Sequence, residues 1–195
     1  MSDDVRTSSR WVIIGIVGTL ALTTFMFLRG PAAWQRIYYP LNFRAEIARS
    51  AERHEVNPYL VAAIIDGESS FDPRARSSQG AVGLMQVLPS TAQQLARNGT
   101  VDATKYPLDS LSDPDVNIEY GTAYFRYLVE RYHEVETALA AYNAGLVRAD
   151  EWAAKGGDIR DAIDFPETRH YVLRVARAKD RYEALYPDAF PKRRQ

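Results

Sequence analysis

The sequence contains no cysteine among its 195 residues. This absence excludes a disulfide framework, a thiol nucleophile, a zinc–thiolate site, an iron–sulfur cluster and a lipid-modified cysteine. Histidine is scarce as well, and His54, His133 and His170 are too far apart to form a local zinc-binding motif. We therefore expect neither a metal ion nor another cofactor.

An excess of positive charge is also missing. The 24 Lys and Arg residues face 25 Asp and Glu residues, which gives a net charge of -1. Proteins that neutralise many phosphates need a basic surplus, so nucleic acid is not expected as a partner. The sequence has no Gly-Lys-Ser or Gly-Lys-Thr phosphate loop, and residues 67–71 lack the second glycine of a serine nucleophile elbow.

Residues 11–28 form an uncharged apolar run of eighteen residues. As a helix rising ~1.5 Å per residue, this run spans most of a ~30 Å hydrocarbon core. Arg10 and Arg29 bracket it, and Trp11 and Trp34 lie near its two edges, where aromatic rings prefer the membrane interface. The run predicts a single transmembrane anchor. A cleaved signal peptide is the main alternative, although its apolar region is usually shorter and a small-residue cleavage site normally follows.

Subtracting this segment leaves enough chain for one compact domain, with no internal repeat or second linker. Basic residues flank the apolar run on both sides, so charge alone does not predict its orientation. The expected organisation is a tail, an anchor, a juxtamembrane linker, a folded domain and a second tail, over residues 1–10, 11–28, 29–40, 41–186 and 187–195.

Helical periodicity predicts an all-α domain of six or seven helices, and no strong period-2 run indicates a strand. Asn57 before Pro58 and Asp113 before Pro114 are start signals for two helices. The second of these should be central to the domain, because its apolar residues recur at helical spacing. The other helices are expected from Asn42 to about Glu55, from near Pro89, over residues 137–143 with Gly145 at the end, and after Pro166.

One carboxylate stands out in this pattern. Glu68 shares a predicted helix face with Val61, Ile64 and Ile65, and a loop rich in Pro, Ser and Gly follows it over residues 72–83. A carboxyl group on such a face loses hydration, and desolvation raises its pKa toward the range of a general acid. The simpler alternative is a solvated glutamate at the end of a helix.

Four blocks of sequence, in order between Leu41 and Tyr186, resemble the catalytic domain of the soluble lytic transglycosylase (SLT) family. They are Glu-Ser-Ser-Phe at residues 68–71 with the stretch 77–86 that follows, Asn117 with Gly121 and Tyr124, Ala-Tyr-Asn-Ala-Gly at residues 141–145, and Glu-Thr-x-x-Tyr-Val at residues 167–172. Leu146 and Val147 depart from the pattern, because family members often have Pro after the third block.

This resemblance implies a lysozyme-like helical domain of the goose type that cleaves the β-1,4 bond between N-acetylmuramic acid and N-acetylglucosamine in peptidoglycan. Glu68 takes the family's catalytic position: it protonates the glycosidic oxygen and then accepts the proton of the muramic C6 hydroxyl, which gives a 1,6-anhydro sugar. Peptidoglycan on the cell-wall side of the membrane would then place the domain there, in the periplasmic or extracytoplasmic space, with a cell-envelope protein complex as a further partner. The alternatives are a hydrolase of the same fold and a glycan-binding module without catalysis.

Five further residues would contact the substrate if the resemblance holds. Ser77 and Gln86 would hydrogen-bond its polar groups or orient Glu68, and Met85 would line the muramic subsite, with core filling as the alternative. Tyr142 would place its hydroxyl near the reacting carbon or near Glu68. Asn143 would bind an acetamido group, or alternatively cap its helix.

The resemblance also gives four supporting residues. Gly80 and Gly83 would provide backbone conformations or close approach for a sugar. Glu167 would close the cleft through an internal ion pair, or simply favour the N-terminus of its helix. Tyr171 belongs to the same closing block.

Overall fold

The structure is a computed structural model that describes residues 2–29 and 32–191. The chain divides into two compact units, Met1–Pro40 and Leu41–Gln195. The first unit contains helix α1 (Ser2–Arg29) and helix α2 (Ala32–Tyr38).

Helix α1 includes the whole apolar run of residues 11–28, so this run is confirmed as helical. The hydroxyls of Thr19 and Thr23 donate to the carbonyl oxygens of Gly15 and Thr19, at 2.9 and 2.8 Å, as is usual for threonine inside a helix. Within the part of the chain that the structure describes, no helix combines the length and the hydropathy needed to cross a membrane. The predicted anchor is therefore not supported beyond its helical conformation.

The second unit is all-α, as predicted. Over its described residues, 41–191, the chain forms no strand, and the pairs Arg76 with Val82 and Val82 with Val87 make isolated bridges. A short 3-10 helix spans Leu108–Ser110. The α-helices are α3 (Arg44–Arg53), α4 (Pro58–Ser69), α5 (Pro89–Arg97), α6 (Pro114–Tyr132), α7 (Val135–Ala144), α8 (Leu146–Ala153), α9 (Ile159–Ala162) and α10 (Pro166–Leu185).

Helix α6 is the centre of this unit, as its apolar spacing predicts. Ile118, Tyr120, Phe125 and Leu128 on this helix are completely buried. The helix packs against α3, α5 and α7, while α10 packs against α4 and α7. The domain is thus a helical bundle in which α4 and α10 lie side by side.

A buried ion cluster joins α3 to α6. The Glu119 carboxylate is 2% exposed, and its oxygens lie 2.5 Å from Nη1 of Arg53 and 2.9 Å from Nε2 of His54. Burial raises the pKa of Glu119, but the hydrogen bonds from His54 and Arg53 outweigh burial and hold it below its usual value. His54 is therefore a packing residue.

The helix starts were predicted with mixed success. Asn57 caps α4 by accepting from the backbone N–H groups of Tyr59 and Leu60, and Asp113 caps α6 in the same way. The prediction that Asn42 begins α3 is wrong. Phe43 occupies the cap position with a left-handed φ of 54° and makes no side-chain cap, so α3 begins at Arg44.

Helices α8 and α9 are not predicted from the sequence. Gly145, with a φ of 84°, ends α7 and also directly precedes α8, so the chain turns within one residue instead of entering a loop. Helix α8 buries Ala149 and Trp152, and the indole N–H of Trp152 donates to Asp164 at 2.8 Å. The apolar spacing of Leu146, Ala149 and Trp152 was the available signal for this helix.

Candidate active site

Glu68 is the penultimate residue of α4, where this helix lies against α10. The close approach depends on Gly67. A Cβ atom added there would lie 3.1 Å from Cγ2 of Val175 and 3.4 Å from the ring of Tyr171. Gly67 therefore allows α10 to pack tightly beside the catalytic candidate.

The chain turns sharply after Glu68. Ser70 and Phe71 both have left-handed backbones, with φ of 50° and 63°. The hydroxyl of Ser69 donates to the carbonyl of Leu84 at 2.8 Å, which ties the end of α4 to the loop that follows. Two consecutive non-glycine residues in this region store backbone strain, a feature found often at functional sites.

Asn117 of α6 holds that loop against the core. Its side chain is completely buried; Nδ2 donates to the carbonyls of Val82 and Leu111, and Oδ1 accepts from the N–H of Met85, each at 2.8 Å. Gly83 has a φ of 77°, and a Cβ atom there would lie 2.5 Å from Nδ2 of Asn117. Glycine is required at this position by both conformation and space.

Met85 does not line an open subsite. Its side chain is completely buried, with its sulfur 3.8 Å from the hydroxyl of Thr122. The prediction that this side chain contacts a sugar is therefore corrected in favour of core filling. Met85 serves the site through its backbone, since its carbonyl accepts a hydrogen bond of 2.7 Å from the Tyr142 hydroxyl.

The environment of Glu68 makes its carboxyl group a proton donor near neutral pH. Burial raises its pKa to about 7, although the Tyr171 hydroxyl and the positive charge of Arg174 both act to lower it. The expected desolvation of this carboxyl group is thus present, and a solvated helix-end glutamate does not fit this environment.

Two tyrosines border this carboxyl group. Burial raises the pKa of Tyr142 and of Tyr171 well above the usual value, and the Glu68 charge adds to the effect. The hydroxyl oxygen of Tyr171 is buried and completes no hydrogen bond of ordinary geometry with any described residue. This hydroxyl still lies close enough to the Glu68 carboxyl group to influence its pKa, so Tyr171 is part of the immediate surroundings of Glu68.

Arg174 and Asp66 are two further charged residues near the end of α4, and the sequence does not predict either of them as part of the site. Nη2 of Arg174 donates to the carbonyl of Gly67 at 2.8 Å, so this guanidinium lies beside the helix end that carries Glu68. Burial raises the pKa of Asp66, with Arg174 and Tyr182 acting in the opposite direction. Only the partners on α10, distant in sequence, reveal these roles.

The polar side chains of Ser77 and Gln86 form hydrogen bonds within their own loop. Oγ of Ser77 accepts from the N–H groups of Gln79 and Ala81 at 3.2 and 3.0 Å, and Nε2 of Gln86 donates to the carbonyl of Gly83 at 2.9 Å. No hydrogen bond joins either one to Glu68 within the described residues. Gly80, in the same loop, is exposed with a φ of 84°.

Asn143 and Glu167 lie near the junction of α7 and α10. Oδ1 of the exposed Asn143 accepts from the hydroxyl of the buried Thr168 at 2.9 Å, which joins the two helices. Glu167 is exposed in the first turn of α10 and forms no ion pair with any described residue. The alternative of an acidic residue at a helix N-terminus therefore describes Glu167 better than an internal pair.

The site is built without an evident metal centre. Across residues 2–29 and 32–191, no group of three or more His, Cys, Asp and Glu side chains is arranged to hold a metal ion. The chemistry of the described site is that of one half-buried carboxyl group close to two tyrosines.

Residues 46–164 match the family described as the Transglycosylase SLT domain. Because this match covers more than half of the chain, the chain belongs to that family. The predicted membership is thereby confirmed.

Several relatives show the same likeness. The chain is 32% identical over 155 residues to the soluble lytic murein transglycosylase of Escherichia coli (strain K12), covering 76% of this chain and 23% of that protein. It is 34% identical over 150 residues to the membrane-bound lytic murein transglycosylase F of Desulfosudis oleivorans, covering 73% of this chain and 28% of that protein.

A solved structure confirms the fold. An inactive mutant of the lytic transglycosylase Slt from Pseudomonas aeruginosa matches with a TM-score of 0.72 and 31% identity, over 80% of this chain and 26% of that chain. The predicted lysozyme-like helical fold is therefore correct for the second unit. The chain spans about a quarter of the length of these relatives.

Proposed function

We propose that this protein is a peptidoglycan lytic transglycosylase that cleaves the β-1,4 bond between N-acetylmuramic acid and N-acetylglucosamine. The observation that carries the proposal is the position of Glu68, half-buried at the end of the helix that the family motif marks, where desolvation raises the pKa of its carboxyl group to about 7. The names of the relatives, which are murein transglycosylases, support the same substrate.

In the proposed reaction Glu68 first donates its proton to the glycosidic oxygen, and the bond from this oxygen to C1 of the muramic residue breaks. The C6 hydroxyl then attacks C1, its proton passes to Glu68, and a 1,6-anhydro bond forms. The enzyme returns to its protonated state and no water is consumed. A single carboxyl group suffices for both steps, whereas most glycosidases need two.

The neighbours of Glu68 have supporting roles in this proposal. Tyr142 and Tyr171 exclude water and keep the carboxyl group poorly solvated, and Arg174 limits the rise of its pKa. Ser77, Gln86 and Asn143 are proposed contacts for the polar groups of the sugars. The backbone of Val82 and Met85, which Asn117 holds by hydrogen bonds, is proposed as one wall of the site.

Product analysis tests this proposal. Peptidoglycan digested by the full chain is separated and its fragments are weighed by mass spectrometry. We expect fragments ending in 1,6-anhydromuramic acid, each lighter by one water than the hydrolytic product. Fragments that all carry a reducing muramic acid would establish the hydrolase instead, and the absence of cleavage would favour a glycan-binding module.

We also propose that helix α1 anchors the protein in a membrane, with the second unit on the cell-wall side. The uncharged run of residues 11–28 supports this proposal, as do its apolar side chains, which are exposed all around the helix from Trp11 to Phe25. A helix that is apolar on every side needs an apolar environment, which a bilayer provides.

A further inference from the structure

Helix α10 carries two positive charges on the side that faces away from the core. Its residues Val172, Val175 and Ala178 are buried, whereas Arg174 and Arg177 are exposed. Residues three apart in a helix are neighbours on one face, so the two arginines lie about one turn apart. Arg174 and Arg177 together are called the arginine pair below.

The arginine pair begins beside the catalytic candidate. Nη2 of Arg174 donates to the carbonyl of Gly67 at 2.8 Å, and its Cζ lies 5.9 Å from the centre of the Tyr171 ring. The Gly67 carbonyl is one of the last four of α4, which lack partners within the helix, so this bond caps the helix end. Capping occupies only one of the nitrogens of the guanidinium. The others form no hydrogen bond with any described residue.

Neither member of the arginine pair has a carboxylate partner. Elsewhere in the second unit, Arg160 binds the carboxylate of Glu136 through two hydrogen bonds of 2.5 and 2.7 Å. Over the described residues 41–191, no ion pair includes Arg174 or Arg177, and the side chain of Arg177 makes no hydrogen bond either. The charge of Arg174 lowers the pKa of Asp66, but the two side chains do not form an ion pair.

The acidic side chains of the next turns do not compensate the arginine pair. Asp180 and Glu183 both pair with Lys179, at 3.2 and 3.0 Å. The whole chain has a net charge of -1, so a general attraction for anionic polymers is not expected. The arginine pair is thus a local positive site. A guanidinium suits carboxylates in particular, because it can bind one through two parallel N–H bonds.

The proposed substrate has carboxylates close to the bond that is cleaved. That bond starts at C1 of a muramic residue, and the lactyl group of the same residue carries the stem peptide of peptidoglycan. The sugar rings themselves are neutral, so the free carboxyl groups of a peptide-bearing strand belong to its peptides. A muramic residue held at Glu68 therefore brings its peptide near the end of α4, where Arg174 lies.

We propose that Arg174 and Arg177 bind carboxylates of the stem peptide on the muramic residue that is cleaved, and so give the enzyme a preference for peptide-bearing strands. This inference rests on the proposed function, because it takes the bound muramic residue to be the one held at Glu68. The peptide follows the exposed face of α10. Arg174 binds it with the N–H groups that do not cap α4, and Arg177 binds the next carboxylate one turn further on.

Binding of ligands with the same number of sugars tests the arginine pair apart from turnover. The full chain carrying Glu68→Gln is titrated by calorimetry with peptide-bearing tetrasaccharides of peptidoglycan, with the same tetrasaccharides after an amidase has removed the peptides, and with the N-acetylglucosamine tetrasaccharide. We expect Arg177→Gln on this background to weaken binding of the peptide-bearing ligand about threefold and to leave the other two unchanged. Arg174→Gln combined with Arg177→Gln should weaken it about tenfold.

Two control variants separate the local charge from the net charge. Arg177→Lys keeps the positive charge and should retain most of the affinity for the peptide-bearing ligand. Arg49→Gln removes one positive charge from the exposed face of α3, where a surface ion pair with Asp115 contributes little, and should change none of the affinities. The substituted side chains are exposed, so these variants should fold with unchanged thermal unfolding midpoints. The effect of Arg177→Gln should shrink at high salt.

The proposal would be overturned if Arg177→Gln had no effect, if it weakened binding of all ligands equally, or if the parent did not bind the peptide-bearing ligand. Equal weakening for the ligands with and without peptide, but not for N-acetylglucosamine, would assign the pair to the lactyl carboxylate and also overturn it. Cleavage of peptide-free strands by the wild-type chain reports the proposed function separately. Its absence would reject that function, whereas cleavage without any effect of Arg177→Gln on binding would reject the arginine pair alone.

Discussion

Glu68 exists near neutral pH as a mixture of its acid and its carboxylate, because burial raises its pKa to about 7. A group that must first give up a proton and then take one back works best under this condition, since neither form is strongly favoured. The rate of the first step depends on the protonated fraction. Activity should therefore decline as the pH rises through the pKa of Glu68.

Arg174 provides a test of this electrostatic account. Its positive charge lowers the pKa of Glu68, so Arg174→Gln should raise that pKa and move the alkaline limb of the pH–rate profile to higher pH. The displacement should shrink at high salt, because Arg174 is exposed. Steady-state rates over a pH series at two ionic strengths measure both effects.

Arg174→Lys is the matched control, because it keeps the positive charge but loses the planar guanidinium group with its several N–H donors. Its alkaline limb should stay close to that of the wild type. If Arg174→Gln left the limb in place or moved it to lower pH, Arg174 would not act on the proton of Glu68.

At the scale of single residues, the sequence predicts the desolvation of Glu68 but not the contacts of Arg174 and Met85, and the reason is physical. The desolvation of Glu68 follows from helical periodicity, which determines its neighbours on the same face. Arg174 contacts the backbone of Gly67 from 107 residues away, and no local pattern contains that contact. The burial of Met85 likewise depends on α6, so the sequence alone left both of its alternatives open.

At the scale of secondary-structure elements, the sequence predicts the helices that have strong start signals. Asn57 and Asp113 accept from the first backbone N–H groups of α4 and α6, as the Asn-Pro and Asp-Pro pairs predict. Helix α3 begins without a side-chain cap, so its start carries no such signal. The four-residue helix α9 is too short for any periodic pattern.

The loop of residues 72–88 shows why a site needs more than its motif. The loop has few backbone hydrogen-bonded pairs of its own, and the buried side chain of Asn117 fixes it through two hydrogen bonds, to the carbonyl of Val82 and from the N–H of Met85. A family motif can mark both partners, but the hydrogen bonds between them become visible only in three dimensions. The element that positions the loop is thus α6.

For the whole molecule, the two units pose separate questions. The fold of residues 41–191 and the family of the chain follow from motif order and from structural likeness. The role of α1 depends on its surroundings, which are outside the chain. The exposed apolar side chains of α1 indicate an apolar environment, and an experiment is needed to identify it.

Membrane fractionation tests the anchor. The full chain should sediment with membranes and remain there after an alkaline wash. Gly18→Arg combined with Leu22→Arg places two charges near the middle of the run, at a cost of about 2.5–3.5 kcal/mol each, and should release the protein. Ile37→Arg, in α2 and outside the run, is the control that should remain bound. Release of the wild-type chain by the wash would contradict the anchor.

The most direct test of the central claim is the turnover of peptidoglycan by the Glu68→Gln chain. Glutamine keeps the shape of the side chain but cannot carry a proton, so we expect activity to fall by ~100- to 10,000-fold with an unchanged thermal unfolding midpoint. Glu52→Gln, an exposed change on α3, should leave activity unaltered. Turnover by Glu68→Gln close to the wild-type rate would contradict the assignment of Glu68 as the proton carrier.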